Sequence, residues 1–304
     1  MTTSFLRGGT AVITGAGSGF GLELARLAAA SGMRLVLADI QADALERAAA
    51  ELRTQGAEVW AQQVDVSRAQ ELEHLAEGTL TRFGAPHLVF NNAGVATGGL
   101  IWEASARDWE WVLGVNLMGV VHGVRVFTPM MLEAARRDPQ YRGHVVNTAS
   151  MAGLVNAPNM GVYNVSKHAV VSLSETLCQD LRLVTDQIHA HVLCPFFVPT
   201  GISQSHRNRP QDLSDPQRPP TASQRIGQAM SDKAVMSGKV SAAEVAQRVL
   251  KAVQACEFYI YSHPKALGSV QTRMEDVLSA RNPTDPFKDR PELGQQLRDA
   301  LRER

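Results

Sequence analysis

Residues 10–39 read TAVITGAGSGFGLELARLAAASGMRLVLAD. A short β-branched run, TAVIT, passes through four glycines into an apolar-periodic segment of helical length (19–31), and a second apolar run, RLVLAD, follows. Strand, tight turn, helix and strand in such quick succession make a crossover unit, which pairs its two strands in parallel and covers them with the helix. No other feature restricts the fold as much, because a parallel sheet persists only when further units of this kind extend it.

Such units do follow. Helical DALERAAAELRTQ (43–55) leads to strand-like AEVWAQQVD (57–65), and SRAQELEHLAEGTLTRF (67–83) opens on Ser67, a residue suited to a helix N-cap. HLVFNN (87–92), GHVVNTAS (143–150) and IHAHVLCP (188–195) are further strands, separated by long helical segments near 105–137 and 161–185. Runs such as HLVF and HVLC are nearly continuous in apolar character, as burial on both sheet faces requires. The fold class is therefore α/β: a Rossmann-like, doubly wound parallel sheet of about seven strands with helices on both faces.

With 304 residues and 44% hydrophobic content, the chain can bury one large core. It reads as a single domain over 1–304. The core comprises 8–200 and 238–262, and a C-terminal extension runs over 263–304. Residues 201–237 are rich in proline, serine and charge, and ordered-looking elements (SAAEVAQRVLKAVQA, then EFYIYS) resume after them. That favours a flexible substrate lid inserted in the domain over a linker between domains.

Thirty basic residues balance thirty acidic ones, so no global field draws in nucleic acid or an anionic membrane surface. No uninterrupted apolar stretch reaches the ~20 residues of a membrane span. The start, MTTSFLRGGTAVITG, lacks the pattern of a signal peptide. Cys178, Cys194 and Cys256 are widely separated, without metal-ligand spacing. A reduced, cytoplasmic protein is the expectation. His189 and His191 share one face of a strand but have no third ligand at suitable spacing, so no metal site is expected.

Glycines 15, 17, 19 and 21 permit the tight turn and let backbone N–H groups approach a pyrophosphate at the helix N-terminus. Asp39 ends the second strand, where a carboxylate can hydrogen-bond adenosine ribose hydroxyls and repel a 2′-phosphate. Alternatively, it only caps the helix that follows. With no lysine or arginine in the turn, NAD is expected over NADP.

Tyr163 and Lys167 stand four apart in GVYNVSKHAV and so share a helical face. A nearby ammonium favours the phenolate, which would lower the tyrosine's pKa toward working pH. A Tyr/Lys pair alone is often surface decoration. Here it joins TGAGSGFG (14–21), NNAG (91–94) and Ser150, thirteen residues before Tyr163. Together these resemble the short-chain dehydrogenase/reductase family, closely over residues 8 to about 200.

The resemblance implies hydride exchange with a nicotinamide cofactor while Tyr163 moves the hydroxyl proton. It gives Lys167 the nicotinamide ribose, Ser150 the substrate oxygen, and Asn116 a water that links Lys167 to solvent. Cofactor contacts carry over to Gly15, Gly17, Ser18, Gly19, Phe20, Gly21, Asp39 and Ile40. They extend to Asp65, Val66, Asn92, Ala93, Gly94, Tyr163 and Lys167, and in CPFFVPTG to Pro195, Val198 and Thr200. Phe196 stands where the family has glycine, so the backbone of that loop and its nicotinamide contacts can differ.

Met151, Met160, Phe196, Phe197 and Trp102 are the expected pocket walls, which suits a bulky apolar or aromatic secondary alcohol and its ketone. The length and tail resemble bacterial members acting on benzylic alcohols of aryl ethers. Two other readings keep the fold. A nucleotide-sugar epimerase or dehydratase would need glycine at position 18 and a larger C-terminal domain, and an inactive NAD-binding scaffold or sensor would not need Asn116, Ser150, Tyr163 and Lys167 intact. The long apolar helices at 105–137 and 161–185 exceed what one sheet face covers, and in the family they pair between subunits. A homodimer or homotetramer is expected.

Overall fold

Seven strands form one sheet: β1 (Thr10–Thr14), β2 (Arg34–Asp39), β3 (Val59–Gln63), β4 (Leu88–Asn91), β5 (Gly143–Thr148), β6 (Ile188–Cys194) and β7 (Tyr259–Tyr261). All neighbours pair in parallel, in the order β3-β2-β1-β4-β5-β6-β7. The structure, a computed structural model, describes residues 6–214 and 217–302. Its helices are α1 (Gly19–Ala30), α2 (Ala42–Thr54), α3 (Ala69–Phe83), α4 (Ala106–Leu113), α5 (Gly119–Arg137), α6 (Gly161–Val184), α7 (Ala222–Met236), α8 (Ala242–Gln254), α9 (Gly268–Leu278) and α10 (Pro291–Arg302).

Strand side chains alternate between two cores. Ala11, Ile13, Leu35 and Leu37 join α1, α2 and α8 on one face. Val12, Val36 and Ala38 join α3, α5 and α6 on the other. This two-sided burial explains why the central strands are apolar throughout rather than alternating.

The segment at 105–137 is one continuous helical run with an internal irregularity. Ser105 and Asp108 make a reciprocal capping box at the start of α4. A π-helical turn, Gly114–Met118, then joins α4 to α5 and carries the fully buried Asn116. By length and composition alone this run could cross a membrane, although charged residues such as Asp108, Glu110 and Arg125 interrupt it. In this fold it is a core helix, with Phe127 and Met131 wholly buried against the sheet.

Two sequence expectations need correction. The N-cap of α3 is Arg68, not Ser67, whose hydroxyl instead donates to Asp65 at 2.7 Å. The span 201–237 is more than a flexible strap: it holds a 3-10 turn, Gly201–Asn208, and the full helix α7, whose Thr221 and Gln224 form another capping box. That helix is seated closely, since a Cβ on Gly227 would lie 3.0 Å from the Gly98 Cα. The extension also has a place, because α10 packs against α7 and its Leu297 is buried there.

Candidate active site

β1 pairs with β2 on one side and β4 on the other, so chain direction across the sheet reverses between β1 and β4. Open α/β sheets bind ligands beyond the carboxyl ends of the strands at that switch point. A cleft lies there, and most of the residues singled out in the sequence line it.

Its outer half is built on the glycine turn. Gly15 takes a φ of 66°, in the left-handed region that favours glycine, and a Cβ there would stand 2.9 Å from the Ala93 Cα. Gly21 permits a still closer approach, since its Cβ would collide with the Gly15 carbonyl oxygen at 2.0 Å. Ser18, Gly19 and Phe20 line the cleft, while Gly17 and Gly21 lie behind it. Gly17 serves through its N–H, which donates to Asp39 Oδ2 at 2.9 Å; Asp39 Oδ1 accepts from the Gln41 N–H at 2.9 Å. Asp39 thus stands in the cleft wall and also holds the start of α2. Ile40, Asp65 and Val66 complete this end.

Asn92 links the two halves. Its N–H donates to Thr14 Oγ1 at 2.9 Å, its amide donates to the Thr14 carbonyl at 3.0 Å, and its Oδ1 accepts from Thr148 at 3.3 Å. The ends of β1, β4 and β5 are thereby tied together, with Ala93 and Gly94 at the cleft surface.

Ser150, Tyr163 and Lys167 meet at the inner end. Ser150 follows β5 and caps the turn Met151–Gly153, accepting the Ala152 N–H at 3.1 Å. Its hydroxyl also donates to the Pro195 carbonyl at 3.3 Å and lies close enough to the Tyr163 phenol to favour its ionised form. Lys167, one turn along α6, lies with Nζ 5.7 Å from the Tyr163 ring centre and donates to the Thr148 carbonyl at 2.9 Å. Burial lowers the ammonium pKa to about 8. Burial also raises the Tyr163 phenol above its ordinary value, and the Ser150 hydroxyl only partly offsets that. The expectation of a phenol lowered by Lys167 is thus reversed here, because desolvation outweighs a cation that is not in contact with the oxygen.

Asn116 does not line the cleft. It is wholly buried, accepts the Val95 N–H at 2.8 Å and donates to the Val95 carbonyl and Ser166 Oγ at 2.9 and 3.0 Å. Its place is behind Gly94, where a Cβ would meet both Asn116 Oδ1 (3.4 Å) and Lys167 Nζ (3.6 Å).

Pro195, Phe196, Phe197, Val198 and Thr200 line the cleft together with Met160 and with Met151, whose N–H donates to the Pro195 carbonyl at 2.8 Å. Phe196 is anchored by its N–H to Ser262 Oγ at 2.8 Å, and its ring packs on Phe197 at 4.5 Å. Trp102 is 73% exposed and outside the cleft, so it is not a pocket wall. Sequence reasoning missed Gln41, Ile202, Ser205, Asn208, Ser231 and Val235, which reach the cleft, as Arg207 does, from the β2–α2 corner and the cover. Arg209 pairs with Asp108 at 2.6 Å.

His189 and His191 are packed rather than chelating. His191 is fully buried and its Nε2 lies 3.0 Å from His144 Nδ1, while His189 stacks on His144.

This architecture recurs among known proteins. A family model described as short chain dehydrogenase matches residues 9–211. The chain is 35% identical over 269 residues to the CLA biosynthesis dehydrogenase/reductase of Lactiplantibacillus plantarum, covering 88% of this chain and 92% of that protein. It is 34% identical over 269 residues to the 1-deoxy-11-beta-hydroxypentalenate dehydrogenase of Streptomyces exfoliatus, covering 88% and 87%. Among solved structures, a short chain dehydrogenase/reductase from Burkholderia phymatum in complex with NAD superposes with a TM-score of 0.90 at 50% identity, covering 94% of this chain and 99% of that one. Matched along two thirds of its length by the family model, and over most of its length by these relatives, the chain belongs to the short-chain dehydrogenase/reductase family of oxidoreductases.

Proposed function

We propose that this protein interconverts a bulky, largely apolar or aromatic secondary alcohol and its ketone with NAD(H). One observation carries the reading. Ser150, Tyr163 and Lys167 converge at one end of a single cleft whose other end is a glycine turn closed by Asp39.

The residues present fit a dinucleotide. The turn is folded so tightly that a Cβ at Gly15 or Gly21 would strike backbone, which leaves its Gly15, Ser18 and Gly19 edge bare beside the N-terminus of α1. Asp39 would hold the adenosine ribose, and its carboxylate disfavours a 2′-phosphate. Asp65 and Val66 would flank the adenine. Lys167 would hold the nicotinamide ribose, and Pro195, Val198 and Thr200 the carboxamide. When bound, the nicotinamide supplies the hydride acceptor or donor.

The chain's own residues handle the proton. In oxidation, the Tyr163 oxygen takes the alcohol O–H proton as the C–H hydride departs. In reduction, it returns that proton to the carbonyl oxygen. Ser150, close to the phenol, would orient the substrate oxygen beside it. Met151, Met160, Phe196 and Phe197 would exclude water and accept apolar bulk. Asn116 supports the site from behind, fixing the loop after β4 at Val95.

The exposed Val165, Leu183 and Val184 on α6 support a homo-oligomer built on that helix; light scattering should return a multiple of the 32.9 kDa chain mass. The decisive experiment is a panel of alcohols and ketones assayed with NAD(H) and NADP(H). Turnover of secondary alcohols with preference for NAD supports the reading. Failure of every alcohol despite NADH binding would leave an inactive dinucleotide-binding scaffold.

A further inference from the structure

Ser205, Arg207 and Asn208 of the cover line the cleft, and the stretch 205–209 is anchored at several points. Ser205 is buried and accepts the Ala96 N–H at 2.9 Å. Asn208 Oδ1 accepts from the Gln41 side chain, just beyond Asp39. Arg209 pairs with Asp108 and lies over the Trp111 ring at 5.3 Å. Arg207 stands between these anchors without a carboxylate partner among the described residues. Its guanidinium donates only to carbonyls of its own turn, Gly201 at 3.3 Å and Gln204 at 2.9 Å.

The charged residues that line the cleft are Asp39, Asp65, Lys167 and Arg207. Lys167 is buried at the inner end, so Arg207 is the cation that faces the middle. Its position there follows from two neighbours. It braces Gly201, next to Thr200, and Thr200 lies against the glycine turn, where a Cβ on Gly19 would meet it at 3.4 Å. On its other side a shallow hollow continues to Ile40, Gln41 and Asp43 at the end of β2. A dinucleotide with its adenosine at Asp39 and its nicotinamide at Tyr163 must pass its two phosphates between these points.

We propose that Arg207 is a phosphate ligand that engages the cofactor's pyrophosphate, so that the anchored cover and the cofactor hold each other by a charge-assisted hydrogen bond. The inference rests on the dinucleotide reading above. A guanidinium with free donors suits phosphate oxygens better than any other group available in this part of the cleft. The same chemistry could be offered by a ribose 2′-phosphate, but Asp39 repels that group at the adjoining position.

The test compares the wild type with Arg207→Ala and Arg207→Lys in titrations of NADH, NADPH, ADP and adenosine, at low and high salt. Because Arg207 is exposed, thermal melting without ligand should not change. Arg207→Ala should raise the Kd of both NADH and ADP about tenfold, leave adenosine within about twofold, and flatten the salt dependence. Arg207→Lys should recover part of the loss. Unchanged NADH and ADP affinity in Arg207→Ala would overturn the proposal, as would an equal loss for adenosine. A loss confined to NADPH would assign Arg207 to the 2′-phosphate and overturn the pyrophosphate assignment. A wild type that binds no dinucleotide at all would instead sink the reading on which the proposal rests.

Discussion

Lys167 lies one turn beyond Tyr163 on α6 with its ammonium 5.7 Å from the centre of the phenol ring, and it hydrogen-bonds the Thr148 carbonyl rather than the phenol oxygen. Burial raises the phenol and lowers the ammonium to about 8. The free protein therefore holds Tyr163 protonated, ready to give a proton and reluctant to take one. Reduction of a ketone should then be insensitive to pH from about 6 to about 8, while kcat/KM for alcohol oxidation climbs with pH across that range and beyond. Initial rates in both directions over the same buffers check this. An oxidation profile already flat at pH 7 would show the phenol to be ionised without help from burial-sensitive partners.

Removing the phenol oxygen separates chemistry from binding. Tyr163→Phe keeps the ring that lines the cleft and deletes the proton carrier. Turnover should fall by at least about a hundredfold, since positioned acid–base groups contribute about 10²–10⁴. The Kd for NADH, read by its fluorescence, should stay within about twofold. Activity close to wild type would remove Tyr163 from the mechanism.

Asp39 combines a backbone role with a recognition role, and two substitutions distinguish them. Asp39→Ala loses the acceptors for the Gly17 and Gln41 N–H groups as well as the charge. Asp39→Asn keeps one acceptor and loses the charge. Both should relax discrimination against NADP, by about tenfold if one charge contact decides it. Only the alanine variant should also weaken NAD severely, because only there is the glycine turn left without its anchor. A wild type that prefers NADP would reject this account of Asp39.

The strands, both long helices and the pairing of Tyr163 with Lys167 were legible because period and spacing fix them. A run apolar on both faces can only be an inner parallel strand, and positions four apart on a helix share a face. What the sequence hid was set by partners far away in the chain. The π turn at Gly114–Met118 has no compositional mark, and it matters because it seats Asn116 against Val95. Residues 201–237 looked unstructured because proline, serine and charge are common in loops. Their order comes from Asp108, Gln41, Ala96 and Gly98, contacts between segments at least 100 residues apart. The direction of the Tyr163 shift was also illegible, since it depends on burial rather than on spacing.

Gly123 tests how tightly α5 is fitted to the sheet. A Cβ there would fall 1.9 Å from Asn91 Oδ1, and Asn91 is already held by Asn147 at 2.9 Å, which itself donates to Ser174 at 3.0 Å. The side chain cannot move aside without breaking a buried polar chain. Gly123→Ala should destabilise the protein by about 1–3 kcal/mol, the usual cost of overpacking, despite the better helix propensity of alanine. Urea unfolding measures the change. An alanine variant as stable as the wild type would mean that α5 has room to shift.

Acid stability should depend on the two histidines that join β5 and β6. His191 Nδ1 is bonded to the Glu257 carbonyl at 2.6 Å, so it is the donor there and its Nε2 is left to accept. His144 Nδ1 lies 3.0 Å from that Nε2 and must donate to it. Each ring is therefore neutral in a fixed tautomer, and burial lowers both pKa values, to about 4 for His191 and further for His144. Above about pH 6.5 folded and unfolded chains both carry neutral imidazoles, and the full stability is present. As pH falls through that value the unfolded chain binds protons that the folded chain cannot, so stability drops by about 1.4 kcal/mol per pH unit for each ring. The loss for His191 continues down to about pH 4. Replacing both rings in His144→Gln/His191→Gln should lower stability at neutral pH yet reduce its slope between about pH 6 and 5 by up to about 2.7 kcal/mol per unit. Other histidines titrate equally in the two proteins and cancel in the comparison. Parallel curves for wild type and variant would show that the buried pair already takes up protons in the folded state.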